Sequence, residues 1–208
     1  MYHNIGSLYS HLGESICSVL PAFHALTGCD FTQPFFGRSK YAIFKRLVQS
    51  PSSADLLRSL SSCDVDFKEV IDFVLHSVYS RPKTEKTPGD SRYVMLFPKE
   101  KSERKKRKRL TDTRRIPPDE ASLTMKIKRT NYITLNWINS LNWRFKSPNV
   151  LEFGWTIGEN DEVTPTWYEG EPLPSESELQ NYLAKKKIVN TTNEETEESE
   201  SESESDDE

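Results

Sequence analysis

The sequence predicts a mainly α protein with a small β component (α+β), and three observations predict it. Apolar residues recur at three- and four-residue steps through most of the first 80 positions, the spacing that gathers them on one face of a helix. A second such run follows a Pro-Pro-Asp-Glu start at residue 117. Two short aromatic and β-branched runs at 153–157 and 163–167 flank Gly-Glu-Asn-Asp-Glu, the form of a single β-hairpin.

In chain order, Leu8, Leu12, Ile16, Val19, Leu20, Phe23 and Leu26 mark the first helical run. Pro21 either breaks it into two helices or occupies the first turn of the second. Residues 30–37 are turn-like. Tyr41, Ile43, Phe44, Leu47 and Val48 resume helical spacing, and Pro51 with Ser52 and Ser53 stops that helix and caps the next. Leu56, Leu57 and Leu60 continue the apolar face. Asp66 caps a further helix through Phe67, Val70, Ile71, Val74, Leu75 and Val78. Residues 1–80 therefore read as one helical unit.

Residues 81–115 read as a basic flexible linker, interrupted by an apolar run at 93–97 that is expected as a strand. Residues 116–170 read as a helix to about Asn142 and the hairpin, with Pro165 confining the second strand to an edge. Residues 171–208 end in alternating Ser and Glu, expected as a disordered acidic tail.

Composition sets the functional classes. Hydrophobic residues make up 35% of the chain and charged ones 29%, with mean hydropathy −0.70. A fully globular domain carries roughly 45–50% apolar residues, glycine included, so polar segments dilute a smaller core. The net charge of −4 conceals an asymmetry. Residues 194–208 hold ten of the 32 acidic groups, leaving 28 basic against 22 acidic in the rest, a net of +6. A basic body with an acidic tail is expected in a nucleic-acid or chromatin setting.

Cys17, Cys29 and Cys63 are an odd count without a CxxC pair, which argues against a disulfide framework or a zinc ribbon. The N-terminus has no basic-then-apolar leader, and no run approaches the roughly 20 apolar residues of a membrane span. A soluble protein in a reducing compartment is expected.

The most specific segment is Leu20-Pro21-Ala22-Phe23-His24-Ala25-Leu26-Thr27-Gly28-Cys29-Asp30 followed by Phe35-Phe36-Gly37-Arg38-Ser39-Lys40. It resembles the helical-hairpin region of flap-endonuclease-like (PIN-like) nucleases, and more closely the "HALTGCD" signature of transposable-element-associated proteins sharing that region. Residues 115–118 with Ala121 and Leu123, then 128–132 and Trp137, are similar to a second block of those proteins, and Gly154-Trp155 with Pro165-Thr166-Trp167 to a third. The resemblance covers about residues 5–175 and identifies the chain as similar to their C-terminal portion, a truncated form.

The resemblance implies that Asp30 is a metal carboxylate, Gly37 the first glycine of a phosphate-binding turn, and Lys40 a phosphate contact, with Arg38 inside the same turn. In such nucleases a cluster of carboxylates holds paired divalent cations about 4 Å apart. Here Glu14 is the one acid before Asp30, and Ser39 replaces the second turn glycine. A lone carboxylate does not organise two hydrated Mg²⁺ ions. No catalytic residue and no cofactor are therefore expected, and Mg²⁺ enters only if further carboxylates are supplied. Asp30 reads more readily as a cap or turn residue than as a metal ligand, Asp64 and Asp66 as capping groups, and His24 as a core or turn residue.

Arg104-Lys105-Lys106-Arg107-Lys108-Arg109 is a basic hexamer of the kind that serves nuclear localisation or phosphate binding. Lys126, Lys128, Arg129 and Arg144 beside Tyr132, Trp137 and Trp143 either extend a basic-aromatic surface or place their aromatics in a core. Ser199, Ser201, Ser203 and Ser205 each stand three residues before an acid, where phosphorylation would add charge. The expectation is a nuclear, non-catalytic partner of nucleic acid, most simply DNA. The alternatives are a nuclease fragment needing missing carboxylates, and a module engaging basic nuclear proteins through the tail.

Overall fold

The structure, a computed structural model, describes residues 4–96 and 113–168. Among them the chain is mainly helical with one two-stranded antiparallel sheet. The basic hexamer and the acidic tail lie outside the described residues.

Helix α1 (Ile5–Thr27) starts behind Asn4, whose side chain accepts from the Ser7 amide at 3.0 Å. It bends at Gly13 (φ 78, ψ 162), a conformation glycine adopts without strain. The break expected at Pro21 is absent there. Pro21 continues inside the helix, which forgoes one ladder hydrogen bond at that residue. Ahead of the bend, Ile5, Leu8 and Tyr9 are exposed, and the buried face begins at Ile16.

Helix α2 (Lys40–Gln49) is capped by Ser39, which accepts from the Ala42 amide at 3.4 Å. Helix α3 (Ser52–Arg58) has no side-chain cap, contrary to the capping role expected of Ser52 and Ser53. The Ser50 carbonyl takes the Ser53 amide at 2.8 Å in their stead. A 3-10 turn (Ser59–Ser61) extends it. Helix α4 (Phe67–Phe73) is capped by Asp66 as expected, with 3.0 Å to the Glu69 amide, and widens into a π-helical turn (Val74–Val78).

Residues 93–96 of the expected strand are instead part of helix α5 (Pro88–Leu96), and Phe97 lies outside the described residues. Thr87 and Asp90 form a reciprocal cap, at 3.0 and 3.1 Å, with Pro88 at the first helical position. That local pair commits the chain to a helix before the apolar run begins. After the 3-10 turn Thr113–Arg115, helix α6 (Glu120–Ile138) is capped by Asp119, which accepts from the Ser122 amide at 2.8 Å. It ends at Asn139, short of Asn142, and 139–145 continue as turns. The 3-10 turn Val150–Phe153 and left-handed Gly154 lead into β1 (Trp155–Ile157), antiparallel to β2 (Val163–Pro165) with Trp155 opposite Pro165.

One hydrophobic core joins these elements. Ile16, Val19, Phe23 and Leu26 of α1 meet Ile43 and Leu47 of α2, Leu57 of α3 and Leu60 just after it, and Val70, Phe73, Val74 and Val78. Leu123 and Ile127 of α6 enter the same core. Buried Asn131 ties α6 to the end of α3, donating to the Leu60 and Ser62 carbonyls at 2.9 and 2.8 Å. Two ion pairs appear among the described residues, exposed Arg58–Asp55 at 3.0 Å and half-buried Arg81–Glu85. None of the described helices is long and apolar enough to cross a membrane.

Candidate nucleic-acid interface

The segment that carries the family resemblance builds the corner between α1 and α2. Gly28 ends α1 at φ 117, where an added Cβ would stand 2.9 Å from the Pro34 backbone. The Cys29 amide donates to the Thr32 carbonyl at 3.0 Å, and the Thr32 hydroxyl donates back to the Ala25 carbonyl. Gly37 takes φ 66 to turn the chain into α2.

Lys40, expected against phosphate, is turned inward. Its ammonium donates to the His24 and Gly28 carbonyls at the C-terminal end of α1 and to His24 Nδ1. An ammonium has only N–H groups, so the His24 ring is the acceptor and is neutral here. Partial burial, then the Lys40 charge, pull the His24 pKa below its ordinary value, with Asp30 opposing. The His24 ring also stacks on Trp137, with ring centres 5.5 Å apart. Cations at a helix C-terminus are favourable, and all three ammonium donors are used inside the protein.

Asp30 lies on the same loop, exposed. Among the described residues no three of His, Cys, Asp and Glu gather as metal ligands. The described groups around Asp30 do not fit a pair of divalent cations.

Arg38 has a different setting. Its guanidinium lies 4.5 Å from the Tyr79 ring centre and donates to the Arg115 carbonyl at 3.2 Å. Its Nε has no hydrogen-bond partner among the described residues. Desolvation lowers its pKa first; Tyr79 opposes, and Arg46, Arg115 and Arg81 lower it further. Burial, with Arg38 opposing it, leaves the Tyr79 hydroxyl raised to about 12. Among the described residues, Arg38, Arg46 and Arg115 are in no ion pair, and Glu85 is committed to Arg81. Of these four guanidiniums, only that of Arg81 is paired with a carboxylate among the described residues.

Beyond Tyr79 opens a cleft of about 840 Å³, between the 29–36 loop, residues 114–118, α6 and the hairpin. Lys126 crosses its floor, its ammonium 4.7 Å from the Phe35 ring centre and donating to the Gln33 carbonyl. Burial, and then the Arg129 charge, push the Lys126 pKa down to about 8. Arg129 holds the hairpin by donating to the Gly154 carbonyl at 3.1 Å and to the Thr166 carbonyl. Its guanidinium lies 6.0 and 5.5 Å from the rings of Trp155 and Trp167.

The basic-aromatic set expected on 126–144 is divided. Lys126 and Arg129 belong to the cleft, Tyr132 packs on Phe153 at 5.6 Å, Trp137 covers His24, and Trp143 is exposed beneath Arg144. The sequence reading passed over Arg92, Arg114 and Phe31 and gave Phe36 no role beyond its place in the motif; all four line the cleft. An exposed Phe in the otherwise polar turn 30–33 was the available signal.

Charge is also distributed unevenly. The described residues carry 17 Lys and Arg against 15 Asp and Glu, while residues 97–112 carry eight against three. That stretch is joined covalently to Leu96 and Thr113, and Arg92 and Arg114 near its two ends both line the cleft. Arg109 lies five residues from Arg114, at most about 18 Å along the chain. Against family models, curated proteins and solved structures alike, the chain finds no match.

Proposed function

We propose that this chain is a non-catalytic nuclear module that binds the phosphate backbone of nucleic acid, DNA in the first instance. The supporting observation is the arginine group beside Tyr79, where the charges of Arg46, Arg115 and Arg81 bear on Arg38 and, of the four, Arg81 alone is paired with a carboxylate among the described residues. Guanidiniums crowded without counter-charge gain from a multivalent anion, and their fork geometry suits phosphate. The basic stretch 97–112, joined covalently to Leu96 and Thr113, adds sequence-independent attraction through counterion release. The resemblance to transposable-element-associated nuclease-like proteins supports the same setting. In this reading Arg38 and Arg115 meet phosphate, while Lys40 braces the α1–α2 corner that presents them.

Duplex DNA binding, followed by fluorescence anisotropy across a salt series, tests this. The affinity is expected to fall steeply with salt, with a log–log slope of about −0.9 per neutralised phosphate. Arg115→Gln should weaken binding and reduce that slope by about one, and neutralising residues 104–109 should remove most of it. A salt-insensitive affinity, or one untouched by both changes, overturns the proposal. The same preparation with Mg²⁺ should leave flap and hairpin DNA uncut. Cutting that is lost in Asp30→Ala would instead establish the nuclease reading.

A further inference from the structure

The cleft beyond Tyr79 has features that a backbone-phosphate grip does not need. Phe31 is 60% exposed, Phe36 42% and Trp167 52%, and all three line it. Apolar rings of that size, open to water on one concave surface, mark a binding surface more often than an isolated exposed side chain does.

The loop that carries Phe31 and the rings of Phe36 and Trp167 are also held in place. Phe31 sits at the apex of a loop pinned on both sides by the Cys29–Thr32 backbone bond, the Thr32 hydroxyl on Ala25, and Pro34 against Gly28. Arg114 packs over Phe36 at 4.1 Å and Arg129 over Trp167 at 5.5 Å. Little conformational freedom remains to be lost when a ligand stacks on them.

Charge narrows the occupant. The cleft wall carries Arg92, Arg114, Lys126 and Arg129 and a single acid, Asp30. A planar apolar ligand attached to anionic groups fits that combination. Base-paired duplex offers the anions but keeps its ring faces stacked inside. An unpaired strand offers both. Tyr79 lines the cleft while its ring contacts Arg38, so the cleft and the arginine group adjoin.

We infer that this cleft takes unpaired nucleobases of a single-stranded nucleic acid, stacked on Phe31, Phe36 and Trp167, with the adjoining phosphates leading out toward Arg115 and Arg38. The inference rests on the phosphate-binding reading and adds to it a site for bases and a preference for unpaired strands.

The test is anisotropy with the full chain at one moderate salt concentration, using short oligo(dT), oligo(rU) and a duplex of equal phosphate number. Wild type should bind at least one single strand more tightly than duplex, and the two single strands show whether DNA or RNA is preferred. Phe31→Ala and Trp167→Ala should each weaken single-strand binding about tenfold, within what base–aromatic stacking contributes, and leave duplex binding unchanged. Both side chains are more than half exposed, and unchanged thermal unfolding of the variants verifies that the fold persists. Equal affinity of wild type for single strand and duplex overturns the inference while the phosphate reading stands, as does an equal loss of both in the variants. Absence of salt-sensitive binding to any of the three overturns the reading beneath it.

Discussion

Lys126 provides the sharpest internal test of the cleft. Its amine is mostly buried on the cleft floor, and burial with the nearby Arg129 charge moves its pKa from 10.5 to about 8. At about 1.36 kcal/mol per pH unit, a gap of that size corresponds to roughly 3 kcal/mol. The sign follows from proton counting. Below about pH 8 the amine is charged in both folded and unfolded chains, and the folded form bears the full desolvation cost. Between about 8 and 10.5 the unfolded chain binds the extra proton, so folding stability rises with pH. Above that window both forms are neutral and the effect is complete.

The perturbation is Lys126→Met, which keeps the stem against Phe35 and removes the charge. Urea unfolding of both proteins at several pH values from about 7 to 11 gives the difference in stability, in which other titrating groups cancel. Wild type should gain up to about 3 kcal/mol relative to the variant across the window. The exposed Gln33 carbonyl loses a donor in the variant but can turn to water, which offsets the difference by a constant and not by its pH profile. A difference flat in pH would show that the ammonium is solvated, and the account of a closed cleft floor would be wrong.

Two further outcomes follow from the fold. Asn131→Ala should destabilise by about 2–3 kcal/mol, because it leaves the Leu60 and Ser62 carbonyls without their buried donor; a change under about 0.5 kcal/mol in urea unfolding would remove the amide from the account of how α6 is fixed. Gly28→Ala should cost more than about 2 kcal/mol, since φ 117 and the 2.9 Å approach to Pro34 both oppose a Cβ; a variant unfolding at the wild-type temperature would contradict the close packing of that corner.

The helices were legible wherever a cap and a periodic face coincided, as at Asp66 and Asp119. The misread run at 93–97 shows the limit of periodicity. Five apolar-rich residues fit either a strand or a helix, and the Thr-Pro-Gly-Asp sequence just upstream was the deciding signal. Pro21 and Gly13 exchanged roles for a related reason. A helix interior supported by core residues on both sides tolerates proline, while glycine yields where Ile5, Leu8 and Tyr9 have nothing to pack on. For the candidate site, the motif located the right corner of the molecule. It did not show that Lys40 faces inward, because His24, Gly28 and Lys40 meet only once the corner has closed. The cleft was less legible still. Phe31, Arg114, Lys126 and Trp167 come from four separated stretches, and no spacing along one element joins them.

The ion pairs seen among the described residues are the surface pair Arg58–Asp55 and the largely buried pair Arg81–Glu85, while the main core cluster, apart from the charged groups at the cleft, is aliphatic and aromatic side chains with the Asn131 amide beside it. Such an interior is indifferent to sodium chloride, whereas attraction to phosphate decays with it. Ionic strength therefore acts on this protein as a single dial. It should release bound polyanion while the melting temperature stays where it was, and a column eluted by salt alone should return molecules ready to bind again.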